Sequence, residues 1–104
     1  MIARHWRGIA KSGQADNYVH HLRPDTFPKL SGITGFIRAY ILKREAHQGT
    51  EFLIVTAWES MEAIERFAGA TADVAVVPDI VQAMMVECDK YVSHYEVVET
   101  YAPA

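Results

Sequence analysis

The sequence predicts an α+β fold of the ferredoxin-like kind, β-α-β-β-α-β, with a four-stranded antiparallel sheet and both helices on one of its faces. Three observations predict it. Two stretches of period-two alternation, FIRAYILKR and EFLIVTAW, are joined by the short polar segment EAHQGT, which reads as a hairpin. A segment with helical spacing follows the first strand-like stretch and another follows the hairpin. The chain has 104 residues, half of them hydrophobic and 22% charged, which suits a single domain spanning 1–104 with one layer of helices on one sheet.

Taken in order, Met1 to Ala10 alternates Ile2, Arg4 and Trp6 with Ala3 and His5, and Ile9 falls on the second face near the end; this is the first strand. Ser12 and Gly13 break it. Ala15, Tyr18, Val19 and Leu22 then fall on one face of a helix. Pro24 and Pro28 remove backbone donors, so this helix should end or kink near Arg23 and resume over Phe27 to Leu30, with Gly32 and Gly35 at the exit. Phe36 to Arg44 is the second strand, with Phe36, Arg38, Tyr40 and Leu42 on one face and Ile37, Ala39 and Ile41 on the other. Glu45 to Thr50 closes the hairpin onto a third strand at Glu51 to Trp58.

Ser60 occupies an N-cap position before Ala63, Ile64, Phe67 and Ala68, the buried stripe of the second main helix, and Gly69 ends it. From Ala70 to Asp89 neither period is clean. A short helix from Asp79 to about Met85, with Pro78 at its first turn, fits best. Tyr91 to Thr100 is the last strand, with His94, Glu96 and Val98 on one face and Tyr95 and Val97 on the other.

Charge and composition narrow the function. The formal charge is -3, with mixed signs and no basic run, so nucleic acid is not the expected partner. No run approaches the roughly 18 apolar residues of a membrane span, and MIARHWRGIA lacks the apolar core of a signal peptide. A cytoplasmic protein with no membrane association is expected. The lone Cys88 cannot form an internal disulfide, and nothing local marks it as an activated nucleophile.

The third strand sets a further condition. Phe52, Ile54 and Trp58 share one face and Leu53, Val55 and Ala57 the other, and only one set can meet the helices. The remaining apolar face predicts a second copy packed sheet to sheet, an isologous homodimer.

In its opening strand IARHWRG, its strand-to-helix unit FLIVTAWESMEAIERFAG with the W-E-S corner, and its closing HYEV at His94 to Val97, the chain resembles the antibiotic biosynthesis monooxygenase-like family of the dimeric α+β barrel superfamily. The likeness covers nearly the whole chain in element order. It implies a sheet-to-sheet dimer and, in each subunit, a pocket between sheet and helices. It also implies a cofactor-independent monooxygenase acting on a phenolic, quinol or polyketide-like aromatic substrate. The family includes haem-degrading members as well, in which a strand-1 Asn, a helix Trp and a His about ten residues later shape the haem site. Aligned on W-E-S, those positions fall near His5 and on Phe67 and Val77. Two of the three are lost, so neither haem nor another cofactor is expected.

Cofactor-free oxygenation needs a base near the working pH, and histidine suits that task. His5 and His94 lie on strands that neighbour each other in this fold, so both are candidate catalytic bases in one pocket. A one-residue change of register would separate them. The plainer alternatives are a sheet or dimer-seam histidine at His5 and a partly solvated one at His94, beside Glu96. His20 and His21 lie on the first helix beside polar neighbours and look less useful, His47 reads as a surface residue of the hairpin, and no spacing such as H-E-x-x-H marks a metal site. Trp6, Tyr40, Trp58 and Phe67 are candidate substrate-binding aromatics, with core packing as the alternative. Arg38 is a candidate anchor for a carboxylate or phenolate, or else an exposed ion-pair residue. A dimeric small-ligand-binding or stress-response protein without chemistry is the second functional class that this fold admits.

Overall fold

In the computed structural model, which describes residues 1–103, strand β1 (Ile2–Ala10) forms the spine of an antiparallel sheet. Its side chains alternate between the two sheet faces, and both of its edges are paired. Strand β2 (Phe36–Ala46) lies at the far edge, beside β3 (Gly49–Trp58). Strand β3 runs along the whole of β1, from Ile2 opposite Trp58 to Ala10 opposite Thr50.

The other edge of β1 is taken by two short strands in series. Strand β4 (Met85–Cys88) pairs with Gly8 to Ala10, and β5 (Ser93–Glu96) pairs with Ile2 to His5. The sheet therefore has five strands where four were expected, and the last strand is shorter than Tyr91 to Thr100. Competition for hydrogen bonds explains the break. Asp89 still bonds to β1, its N–H donating to Arg7 O at 2.9 Å. The next residues turn to a different partner: Ala75 N–H donates to Lys90 O at 2.9 Å and Val92 N–H to Asp73 O at 2.8 Å. The region without a clean period thus supplies a short bridge, Val74 to Tyr91.

All helices lie on one face. Helix α1 (Ala15–His21) runs into a π-helical turn, Leu22–Thr26, and then into α2 (Phe27–Ser31). The prolines account for that turn. Pro24 has no N–H to give, and a wider turn, closed by Phe27 N–H on Leu22 O, skips the missing donor without ending the helix. Helix α3 (Met61–Ala68) is capped by Ser60, whose Oγ accepts from Ala63 N at 3.2 Å. Helix α4 (Asp79–Met84) begins directly after Pro78, as expected.

Two details of the hairpin differ from expectation. The strands extend through Ala46 and from Gly49, leaving only His47 and Gln48 as the turn. At its base, Gly49 has φ +155, and a Cβ there would lie 2.0 Å from Ala10 O, so no other residue fits. A bulge near the start of β2 pairs Phe36 with Trp58 but Arg38 with Ala57. It turns Phe36 away from the face of Arg38, Tyr40 and Leu42 and sets its ring edge-on to Trp58 at 5.2 Å.

The core has two parts. Trp6, Tyr18, Leu22, Phe52, Val81 and Met85 pack beneath α1 and α4. Leu30, Trp58, Ala63, Ile64 and Ala72 pack beneath α2 and α3. The opposite sheet face carries Ala3, His5, Leu53, Val55, Tyr40, Leu42 and Tyr95, with Tyr40 50%, Leu42 47% and Tyr95 57% exposed.

Candidate functional site

Between the two halves of the core lies a cleft of about 620 Å³, its open mouth included. Its floor is the helix-facing side of β1 and β3: Arg4, Trp6, Ile54 and Thr56. One wall is the α1–α2 run, with Tyr18, His21 and Phe27; the other is Phe67 of α3 with the segment Val76 to Pro78.

Arg4 is the unusual group. It is only 5% exposed, and among the described residues no carboxylate pairs with it. Its partners are neutral. Nη1 donates to Ala72 O and, at 2.9 Å, to His94 Nε2, while Nη2 donates to Val74 O at 3.3 Å. The Phe67 ring lies 5.7 Å from its Cζ, an additional cation–π contact. Burial lowers its pKa, offset in part by the field of Asp73, yet a guanidinium keeps its charge. A buried cation without a counter-ion is costly unless a ligand supplies one.

His94 is tied to this cation. Because the guanidinium can only donate, His94 Nε2 must accept, which puts the ring proton on Nδ1. Burial and then the Arg4 charge push its pKa down, against a weaker opposing field from Asp73. Its basic nitrogen is thus occupied, and the side chain holds Arg4 in place.

The expected site residues divide between the two faces. Ser93 lies opposite His5 and His94 opposite Arg4, so the two histidines, on neighbouring strands, point to opposite sides of the sheet. No pocket within one subunit contains both. His5 is on the open face with its ring 5.0 Å from that of Tyr95. Arg38 and Tyr40 are on the same open face, outside the cleft. Trp6 and Phe67 do line the cleft, with Trp6 Nε1 donating to Asp89 O at 3.0 Å. Trp58 is fully buried behind Phe67, its ring stacked on Phe67 at 5.9 Å and its Nε1 donating to Thr56 Oγ1 at 2.8 Å, so it supports the wall and does not form it.

Two cleft residues escaped the sequence reading, Arg4 and His21. A signal existed for each. Arg4 shares its strand face with Ile2 and Trp6, an arginine in a core-facing row. His21 is three residues after Tyr18, on the flank of the buried helical stripe.

The cleft does not reproduce the haem arrangement outlined above. Val77, at the position of the required histidine, lines it with an apolar side chain, and Phe67 stands at the tryptophan position. Among the described residues there is also no cluster of side chains suited to a metal ion. The one imidazole in the lining, His21, has Nδ1 directed at Asp25 Oδ2, 3.8 Å away.

Fold and site together define a ferredoxin-like α+β protein with a cleft between its sheet and its helices. The chain belongs to the antibiotic biosynthesis monooxygenase family, whose model matches residues 1–77. Among similar solved structures is a mutant of MhuD with two manganese protoporphyrin IX bound per active site, 16% identical over 99% of this chain and 100% of that one, with a TM-score of 0.71. A second is SnoaB of Streptomyces nogalater, a cofactor-independent oxygenase, 17% identical over 95% and 94% of the two chains, with a TM-score of 0.63. A third is the ActVA-Orf6 monooxygenase of Streptomyces coelicolor in complex with nanaomycin D, 12% identical over 99% and 92%, with a TM-score of 0.66. At these identities the likeness shows the fold. No curated protein matches the sequence at a significant level.

Proposed function

We propose that the protein is a cofactor-independent monooxygenase of an electron-rich phenolic, quinol or polyketide-like aromatic compound. The observation that carries this reading is Arg4: a buried guanidinium with no carboxylate partner, at the floor of a cleft lined by Trp6 and Phe67. A flat phenol lies against the two aromatic side chains and directs its oxygen at the guanidinium. Charge–charge stabilisation by the buried guanidinium favours the phenolate over the phenol. The electron-rich anion is itself the reductant of dioxygen, so the protein supplies binding, orientation and charge stabilisation. His94 contributes through Arg4, and Trp58 through Phe67. His5, Arg38 and Tyr40 belong in this reading to a homodimer formed through the open sheet face.

Oxygen uptake tests the proposal, measured on chelator-treated protein with a panel of anthrones and hydroquinones. Turnover that is lost in Arg4→Met and kept in His5→Ala is expected. Specific ligand binding without oxygen uptake would support instead a ligand-binding protein without chemistry. Turnover unaffected by Arg4→Met would reject the assigned site.

A further inference from the structure

The proposed reaction requires that the substrate lose a proton, and the cleft limits which side chain can take it. Of the residues that line the cleft, the ionisable ones are Arg4, Tyr18 and His21. Arg4 is a permanent cation. Tyr18 is 3% exposed, and burial raises its phenol further above the range where it would act as a base near neutrality. The other lining side chains are hydrocarbon, indole or threonine hydroxyl. His21 remains.

Its surroundings suit the role. His21 ends α1, next to the π-helical turn, and its side chain is 15% exposed, open enough for proton exchange and close enough to the cleft to line it. Nδ1 faces Asp25 Oδ2 at 3.8 Å, within the same helical run, and that carboxylate is 62% exposed. At that distance the carboxylate is a neighbouring charge and not a hydrogen-bond partner, and Nε2 is the ring nitrogen farther from it.

We infer that His21 is the general base that removes the substrate's phenolic proton in the cleft floored by Arg4. The inference rests on the oxygenase reading above. The substrate O–H bond breaks, with the proton passing to His21 Nε2 and the electron pair staying on the aromatic anion beside Arg4. That anion gives two electrons to dioxygen, forming a carbon–oxygen bond, and the distal oxygen takes the proton back from His21. The hydroperoxide then loses water to give the quinone. Overall, a phenol and one dioxygen yield one quinone and one water, with no external reductant.

The test is the pH profile of oxygen uptake in the wild type, His21→Gln and Asp25→Asn, with added imidazole as a rescue of His21→Ala. Around His21 the charged or titrating groups are Tyr18 and Asp25 on its own helical run and Arg4 on the floor of the cleft. General-base removal predicts a loss of about 100-fold or more in His21→Gln, the disappearance of the acid limb of the profile, and partial recovery of His21→Ala by imidazole. Asp25→Asn, which removes an exposed neighbour and no cleft-lining side chain, should keep activity. A wild-type acid limb preserved in His21→Gln overturns the inference while leaving the oxygenase reading in place. A wild type that consumes no oxygen with any member of the panel removes that reading and this inference with it.

Discussion

Arg4 carries a charge taken out of water and given only carbonyls, an imidazole nitrogen and an aromatic face in return. Charge-assisted hydrogen bonds of the kind it would form to a phenolate contribute about 1.5–3 kcal/mol. Arg4→Met should therefore weaken binding of an anionic aromatic by roughly 10- to 100-fold, read by titration of a phenolate chromophore, with little change for a neutral analogue. His94 gives a pH-dependent counterpart. Its pKa is lowered in the fold, so its contribution to stability is complete above the ordinary histidine value. It is lost as pH falls below that value and through the folded one. Thermal melts of the wild type should show lower stability at pH 5 than at pH 7.5, and His94→Gln should flatten that slope. His94→Gln keeps an acceptor for Arg4, so its turnover should fall only a few-fold. A loss of about 100-fold, the scale of a removed general base, would return His94 to the catalytic role that the sequence suggested.

Elements show where sequence reasoning works and where it stops. The strands β1, β2 and β3 and helix α3 follow from local periods and a cap, because each has one face that must be buried. The two histidines show the limit. Alternation within β1 and within β5 is visible in the sequence, yet their relative register is a contact between distant segments, and a shift of one residue decides whether His5 and His94 meet. The split of the last strand is equally non-local, since it depends on residues 73–75 competing for the same hydrogen bonds. The prolines in the first helical run announced a disturbance, and its form, a π-helical turn, depends on α2 still having Leu30 to bury. The hairpin gives a direct test. Gly49→Ala combines positive φ with a contact against backbone oxygen that no rotamer relieves. It should cost about 3 kcal/mol in denaturant unfolding, whereas Gly13→Ala, with a positive φ of +83 but open space around its Cβ position, should cost about 1–2 kcal/mol.

For the molecule as a whole, the two sheet faces have separate tasks. The helix face holds the cleft, and the open face presents Leu53, Val55, Tyr40 and Leu42 beside His5 and Tyr95. An apolar sheet face of this kind is best covered by a second copy through a two-fold interface. Val55→Asp should convert a dimer at low micromolar concentration to a monomer in sedimentation equilibrium, while a wild type that is already monomeric would reject the assembly. No helix is long and apolar enough to cross a membrane among the described residues. The account of the cleft itself depends on one chemical statement, that an aromatic anion beside Arg4 reduces dioxygen unaided. Reaction under ¹⁸O₂ with chelator-treated protein and no added reductant measures it. The account predicts one labelled oxygen in each quinone and the other in water. Unlabelled quinone, or turnover that appears only when haem, flavin or a metal ion is added, would contradict it.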